Sequence, residues 1–103
     1  RRGGETQSLG TIKIDLTKHI VLKNDEEIAL TQREFELLTY LIRNKGKVCT
    51  RNQILKDVWD INFEYDTGVI DVFMNAIRKK LKLKIEEDYI KTIRSVGYIA
   101  NDL

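Results

Sequence analysis

The sequence predicts an α+β domain with an N-terminal antiparallel sheet, three helices and a C-terminal β-hairpin. Three observations carry this expectation. Ile12, Ile14 and Leu16 alternate with polar neighbours, the period of a half-buried strand. Thr31-Gln32-Arg33-Glu34 and Thr50-Arg51-Asn52-Gln53 both have the form of a helix-capping box, and apolar residues at helical spacing follow each. Near the C terminus, Tyr89–Arg94 and Tyr98–Ala100 read as strands around a Ser95-Val96-Gly97 turn. A chain of 103 residues, 42% hydrophobic and 33% charged, has the size and composition of one folded domain with one core.

Taken in order, Arg1–Gly10 is polar and Gly-containing and reads as the end of a linker, flexible to about Leu9, with the domain at 11–103. Thr11–Asp15, Lys18–Leu22 and Glu27–Leu30 are expected as three short strands, with Asn24-Asp25 as turn chemistry between the last two. Thr31 caps a first helix whose inward stripe is Phe35, Leu38, Leu41 and Ile42. Asn44-Lys45-Gly46 ends it, Gly46 being suited to a left-handed conformation. Lys47–Cys49 reads as a short strand, and Thr50 caps a second helix with Ile54, Leu55, Val58 and Trp59 inward. The acidic, aromatic stretch Asp60–Tyr65 interrupts the helical pattern before Asp66 or Thr67 caps a third helix.

That third helix, expected over Asp66–Lys84, has two faces. Ile70, Met74, Ile77 and Leu81 form a core stripe. Gly68, Val72, Asn75, Lys79 and Lys82 fall roughly opposite, flanked by Ala76 and Arg78. This second face mixes short or apolar side chains and an amide with cations, as a helix entering a DNA major groove requires. Cations in a last turn also suit the helix dipole, so the basic end alone is a weak signal. Net charge is only +2, but its distribution is uneven. Five acids and no Lys or Arg lie from Asp57 to Asp71; five cations and no acid lie from Arg78 to Lys84. One patch can meet phosphate while another avoids it.

Strands, three helices and a hairpin in this order make a helix-turn-helix with a β-wing, which places the third helix in the major groove. The wing carries Lys91, Thr92 and Arg94 where they can reach a minor groove or its phosphates. Arg78, Lys79 and Lys82 are expected to hold phosphates along the groove, Arg51 and Lys47 from the preceding element, and Arg94 from the wing, with Thr92 donating a hydrogen bond. Asn75 suits the N6/N7 edge of adenine, and Val72 and Ala76 suit thymine methyl groups, so an A·T-rich site is expected.

Enzyme chemistry is not expected. There is one histidine, one cysteine, no Gly-rich phosphate loop and no assembled Ser/His/Asp set. His19 reads as structural, without partners for a zinc site, and no metal or cofactor is expected. Cys49 reads as a small buried hydrophobe in a reducing cytosol, and no apolar leader or span is present, so a cytoplasmic location is expected.

The blocks Leu30–Trp59, Val69–Leu81 and Lys91–Tyr98, in this order, resemble the C-terminal winged-helix effector domain of OmpR/PhoB-type response regulators. The resemblance covers nearly the whole chain from about Thr11. It implies a preceding receiver domain phosphorylated by a sensor histidine kinase, and head-to-tail pairing on direct-repeat promoter DNA. It also implies that the loop between the second and third helices (Asp60, Asn62, Glu64, Tyr65 and Asp66 here) contacts RNA polymerase. Asn75 and Ala76 stand where relatives often carry two arginines, and Ser95 where glycine is frequent. The competing reading is a winged-helix protein-interaction module without specific DNA binding, and the Asn75-Ala76 departure is its support.

Overall fold

The computed structural model describes residues 6–60 and 68–102. Its strands are β1 (Thr6–Leu9), β2 (Ile12–Asp15), β3 (Ile20–Lys23) and β4 (Glu26–Ile28), followed by α1 (Gln32–Arg43). Then come β5 (Cys49–Thr50), α2 (Arg51–Trp59), α3 (Gly68–Lys80), β6 (Ile90–Ile93) and β7 (Gly97–Ala100). β1 to β4 form an antiparallel meander in chain order, and β5, β7 and β6 form a second antiparallel sheet in that spatial order.

The meander has one strand more than the sequence predicts. Thr6–Leu9, read as linker, pairs with β2 as an edge strand, and Leu9 is fully buried. Gly10 makes the reversal at φ +59°, the positive value that the first residue of a two-residue hairpin turn requires. A Cβ there would also fall on the Tyr89 ring. The strand escapes pattern reading because TQSL carries a single apolar residue, too few to show a period. Asn24 and Asp25 turn between β3 and β4 with φ of 52° and 69°. His19 stacks on Phe35 with ring centroids 4.6 Å apart, a packing role.

Both capping boxes form. Thr31 and Thr50 each accept from the backbone amide three residues on, and Glu34 and Gln53 reach back to the cap amides at 2.9 and 3.1 Å. Phe35, Leu38, Leu41 and Ile42 of α1, Ile54 and Leu55 of α2, and Ile70, Met74 and Ile77 of α3 meet in one core with apolar residues of both sheets. Val58 and Trp59 pack at its margin, half-buried.

α3 ends at Lys80, four residues before the predicted limit. Lys82 turns left-handed at φ 53°. The Leu83 amide then bonds the Arg78 carbonyl at 3.3 Å and the Lys82 amide that of Lys79 at 3.1 Å, the paired bonds of a Schellman cap. A lysine occupies the position glycine usually fills, and Lys23 Nζ holds its carbonyl at 2.7 Å. The predicted α3 caps, Asp66 and Thr67, lie outside the described residues. In the wing sheet, Gly97 belongs to β7 and not to the turn; a Cβ there would collide with the Cys49 carbonyl on β5. Ser95 takes the positive φ of the tip, 63°, which explains why glycine suits that position.

Candidate nucleic-acid interface

The core stripe fixes which side of α3 faces outward. With Ile70, Met74 and Ile77 buried, Val72, Asn75, Ala76 and Lys79 share the opposite side at i, i+3, i+4 and i+7. Val72 is 67% exposed, large for an apolar residue on a helix. Asn75 and Lys79 are exposed and Ala76 is half-buried. Thr92 and Arg94 are exposed on the hairpin beside this helix, and Lys47 is exposed just before β5.

The hairpin is tied to the helix by Arg78. Its Nη2 donates to the Ile90 carbonyl at 2.8 Å and to Thr92 Oγ1 at 2.9 Å. Because the Thr92 oxygen accepts from Arg78, its own hydroxyl proton is left to donate outward. Arg51 is likewise engaged. Its Nε and Nη2 donate to one oxygen of Asp71, Oδ1, at 3.2 and 3.0 Å, and its side chain is only 19% exposed. The Tyr98 hydroxyl, from β7, donates to the same oxygen. Arg51 and Arg78 both lie over the Tyr98 ring, 5.1 and 5.6 Å from its centroid. Burial alone would raise the Asp71 carboxyl, but the bonds from Tyr98 and Arg51 outweigh it and hold the group below the usual carboxylate range. Burial, then the bond to Asp71, pushes the Tyr98 phenol up.

The predicted cations thus divide. Lys79 and Arg94 are exposed, whereas Arg51 and Arg78 already hold protein partners. Lys82, expected on the outward face of the helix, lies beyond its end, with Nζ 3.9 Å from Glu26 of β4. Lys80 is drawn to the other side of α3, 2.7 Å from Glu34 Oε1. Of the acidic loop, Asp60 is exposed at the left-handed end of α2; Asn62, Glu64, Tyr65 and Asp66 lie outside the described residues.

Sequence reasoning missed Asp71 and the Tyr98 hydroxyl. Asp71 read as one acid among five, and an acid in a first helical turn is explained by the dipole alone. Tyr98 read as the first residue of a strand, and its ring packs in the core. The one available signal is that Asp71 is the only acid in α3. Among the described residues, no group of three or more His, Cys, Asp or Glu could hold a metal ion, and no helix is long and apolar enough to cross a membrane.

Comparison with known proteins agrees with this geometry. Residues 25–100 match the family described as "Transcriptional regulatory protein, C terminal". The chain is 39% identical over 104 residues to the uncharacterized transcriptional regulatory protein YkoG of Bacillus subtilis, covering 95% of this chain and 46% of that protein. It is 39% identical over 88 residues to the transcriptional regulatory protein CusR of Escherichia coli, covering 85% and 39%. The chain therefore spans under half the length of these curated relatives. Among solved structures, the RstA DNA-binding domain of Klebsiella pneumoniae in complex with the RstA box matches with a TM-score of 0.83 at 32% identity, covering 94% of this chain and 97% of that one. DrrB of Thermotoga maritima, an OmpR/PhoB homologue, matches at 0.81 and 35% identity, covering 93% and 44%. The capped helices, the wing strapped to α3 and these matches agree: the chain belongs to the C-terminal domain family of transcriptional regulatory proteins, in its OmpR/PhoB-type winged-helix form.

Proposed function

We propose that this chain binds double-stranded DNA sequence-specifically and regulates transcription as the output domain of a two-component response regulator. The observation that carries the reading is the outward face of α3, with Val72, Asn75 and Lys79 exposed beside a wing whose Thr92 and Arg94 are exposed too. This juxtaposition fits a helix in the major groove and a hairpin at the adjacent minor groove and its phosphates. Asn75, Val72 and Ala76 read bases; Lys79, Arg94 and Thr92 hold phosphates, with Lys47 at the edge of the same surface. Arg51 and Arg78 contribute from fixed positions, through the groups that their internal bonds leave over. Lys82 is a weaker candidate, because the turn after α3 brings it beside Glu26.

The fuller assembly rests on family membership. It comprises a preceding receiver domain, a sensor histidine kinase acting on it, and head-to-tail pairing on direct-repeat sites in the cytoplasm. RNA polymerase would meet the segment that begins at Asp60. The RstA match supports the DNA partner, since that DNA-binding domain was solved in complex with the RstA box.

Selection of a preferred duplex from a random library, followed by polarisation titration at several salt concentrations, tests the core of the reading. Binding should weaken steeply with salt and favour an A·T-rich site. Asn75→Ala should flatten the preference at one base position by about tenfold, the scale of a bidentate amide–adenine contact. A chain that selects no duplex is a protein-interaction module instead.

A further inference from the structure

We propose that Asp71 is a positioning residue that, through Tyr98 and Arg51, fixes the wing sheet against the recognition helix and so sets the ratio of specific to non-specific DNA binding. The inference rests on the DNA-binding reading above. Three elements converge on one oxygen atom. Asp71 Oδ1, on α3, accepts from Arg51 Nε and Nη2 at the start of α2 and from the Tyr98 hydroxyl on β7. Arg78 adds a second strap, from α3 to Ile90 and Thr92 of β6. Tyr98 belongs to both straps, since both guanidinium groups lie over its ring. Gly97, its neighbour, lets β7 approach the Cys49 carbonyl more closely than any side chain would permit.

The placement of the acid makes an electrostatic argument as well. Asp71 is one residue from Val72 on the outward side of α3, with a side chain 42% exposed. A bare carboxylate there would repel phosphate. Here two arginine N–H groups and a phenol surround it, so its charge is matched locally and what it supplies is geometry. A helix and a wing that read one duplex must meet it at a fixed separation. Non-specific contacts through long, exposed cations such as Lys79 tolerate looseness in that separation; base-edge contacts do not. Loosening the network should therefore weaken the selected site more than a random one.

The experiment compares affinities for the library-selected duplex and for a scrambled duplex of equal composition, using wild type, Tyr98→Phe, Asp71→Asn and the double variant. Loss of folded protein lowers both affinities in proportion and leaves their ratio unmoved, so the ratio isolates positioning. Tyr98→Phe keeps the buried ring and every charge. It should lower the ratio by about tenfold, the scale of one charge-assisted hydrogen bond, with the salt slope unchanged. Asp71→Asn should lower the ratio at least as far. The double variant should be no worse than Asp71→Asn, because both substitutions act at the same oxygen. An unchanged ratio in Tyr98→Phe and Asp71→Asn, or additive losses in the double variant, overturns the proposal. So does an equal gain in affinity for both duplexes in Asp71→Asn, which would make the acid a simple repulsive charge. If wild type itself shows no preference between the duplexes, the functional reading fails first, and the inference with it.

Discussion

The two sides of α3 treat the same kind of residue in opposite ways. Arg78, Lys79 and Lys80 are consecutive, yet they have three destinations. Arg78 is bonded to the wing, Lys79 is exposed, and Lys80 is held by buried Glu34 at the start of α1. Away from the outward face, cations act as ties: Lys80 joins α3 to α1, and Lys23 joins the meander to the turn after α3 through Glu87 and the Lys82 carbonyl. On the outward side, only part of the basic run is left for an anionic partner. A count of lysines and arginines therefore overstates the electrostatic footprint of this domain, and the partners each cation already holds decide which ones belong to it.

Breaking the core side should have the largest effect. Ile77→Ala should cost about 2–5 kcal/mol of stability by urea denaturation, since Ile77 is fully buried, while leaving the salt slope of the folded fraction intact. A changed slope would mean that the two sides are not separable. The next contrast sets adjacent lysines against each other. Lys79→Ala should reduce the slope of log affinity against log salt by about 0.9, whereas Lys80→Ala should keep the slope and lose about 1 kcal/mol of stability. Equal slopes for both variants would erase the distinction. The smallest effect is a pH dependence confined to the core side. Burial raises the Glu34 carboxyl, but Lys80 and the Thr31 amide outweigh it, and its folded value lies below the ordinary 4.5. The stabilisation from this group is complete above 4.5 and is lost as pH falls through the lower folded value. Urea midpoints measured from neutrality into that range should therefore fall, and Lys80→Ala should shallow the fall.

Much of the fold was legible because it depends on neighbours in sequence. The capping boxes at Thr31 and Thr50 span four residues each, and the core stripes of α1 and α3 repeat every three or four. The outward face of α3 was legible for the same reason, as the complement of its core stripe. β1 was not, since its one buried side chain, Leu9, shows no period. The roles of Arg51 and Arg78 were only partly legible. Their place at the start of α2 and on α3 follows from the pattern, but their bonds reach Asp71, Ile90 and Thr92, separated by 20, 12 and 14 residues.

By itself, then, the sequence determined where α1 and α2 begin, which face of each helix is buried, and that a hairpin follows the third helix. These are short-range choices of hydrogen bonding and hydrophobic period. Tertiary structure alone decided where α3 stops and which cations remain outward. Lys82 adopts a left-handed conformation without being glycine, and Lys23, 59 residues away in the chain, holds its carbonyl. The Asp71 oxygen gathers donors from α2 and β7 only once the wing sheet has packed against the helices. No local pattern encodes either arrangement, because the groups that stabilise it meet only in the folded chain.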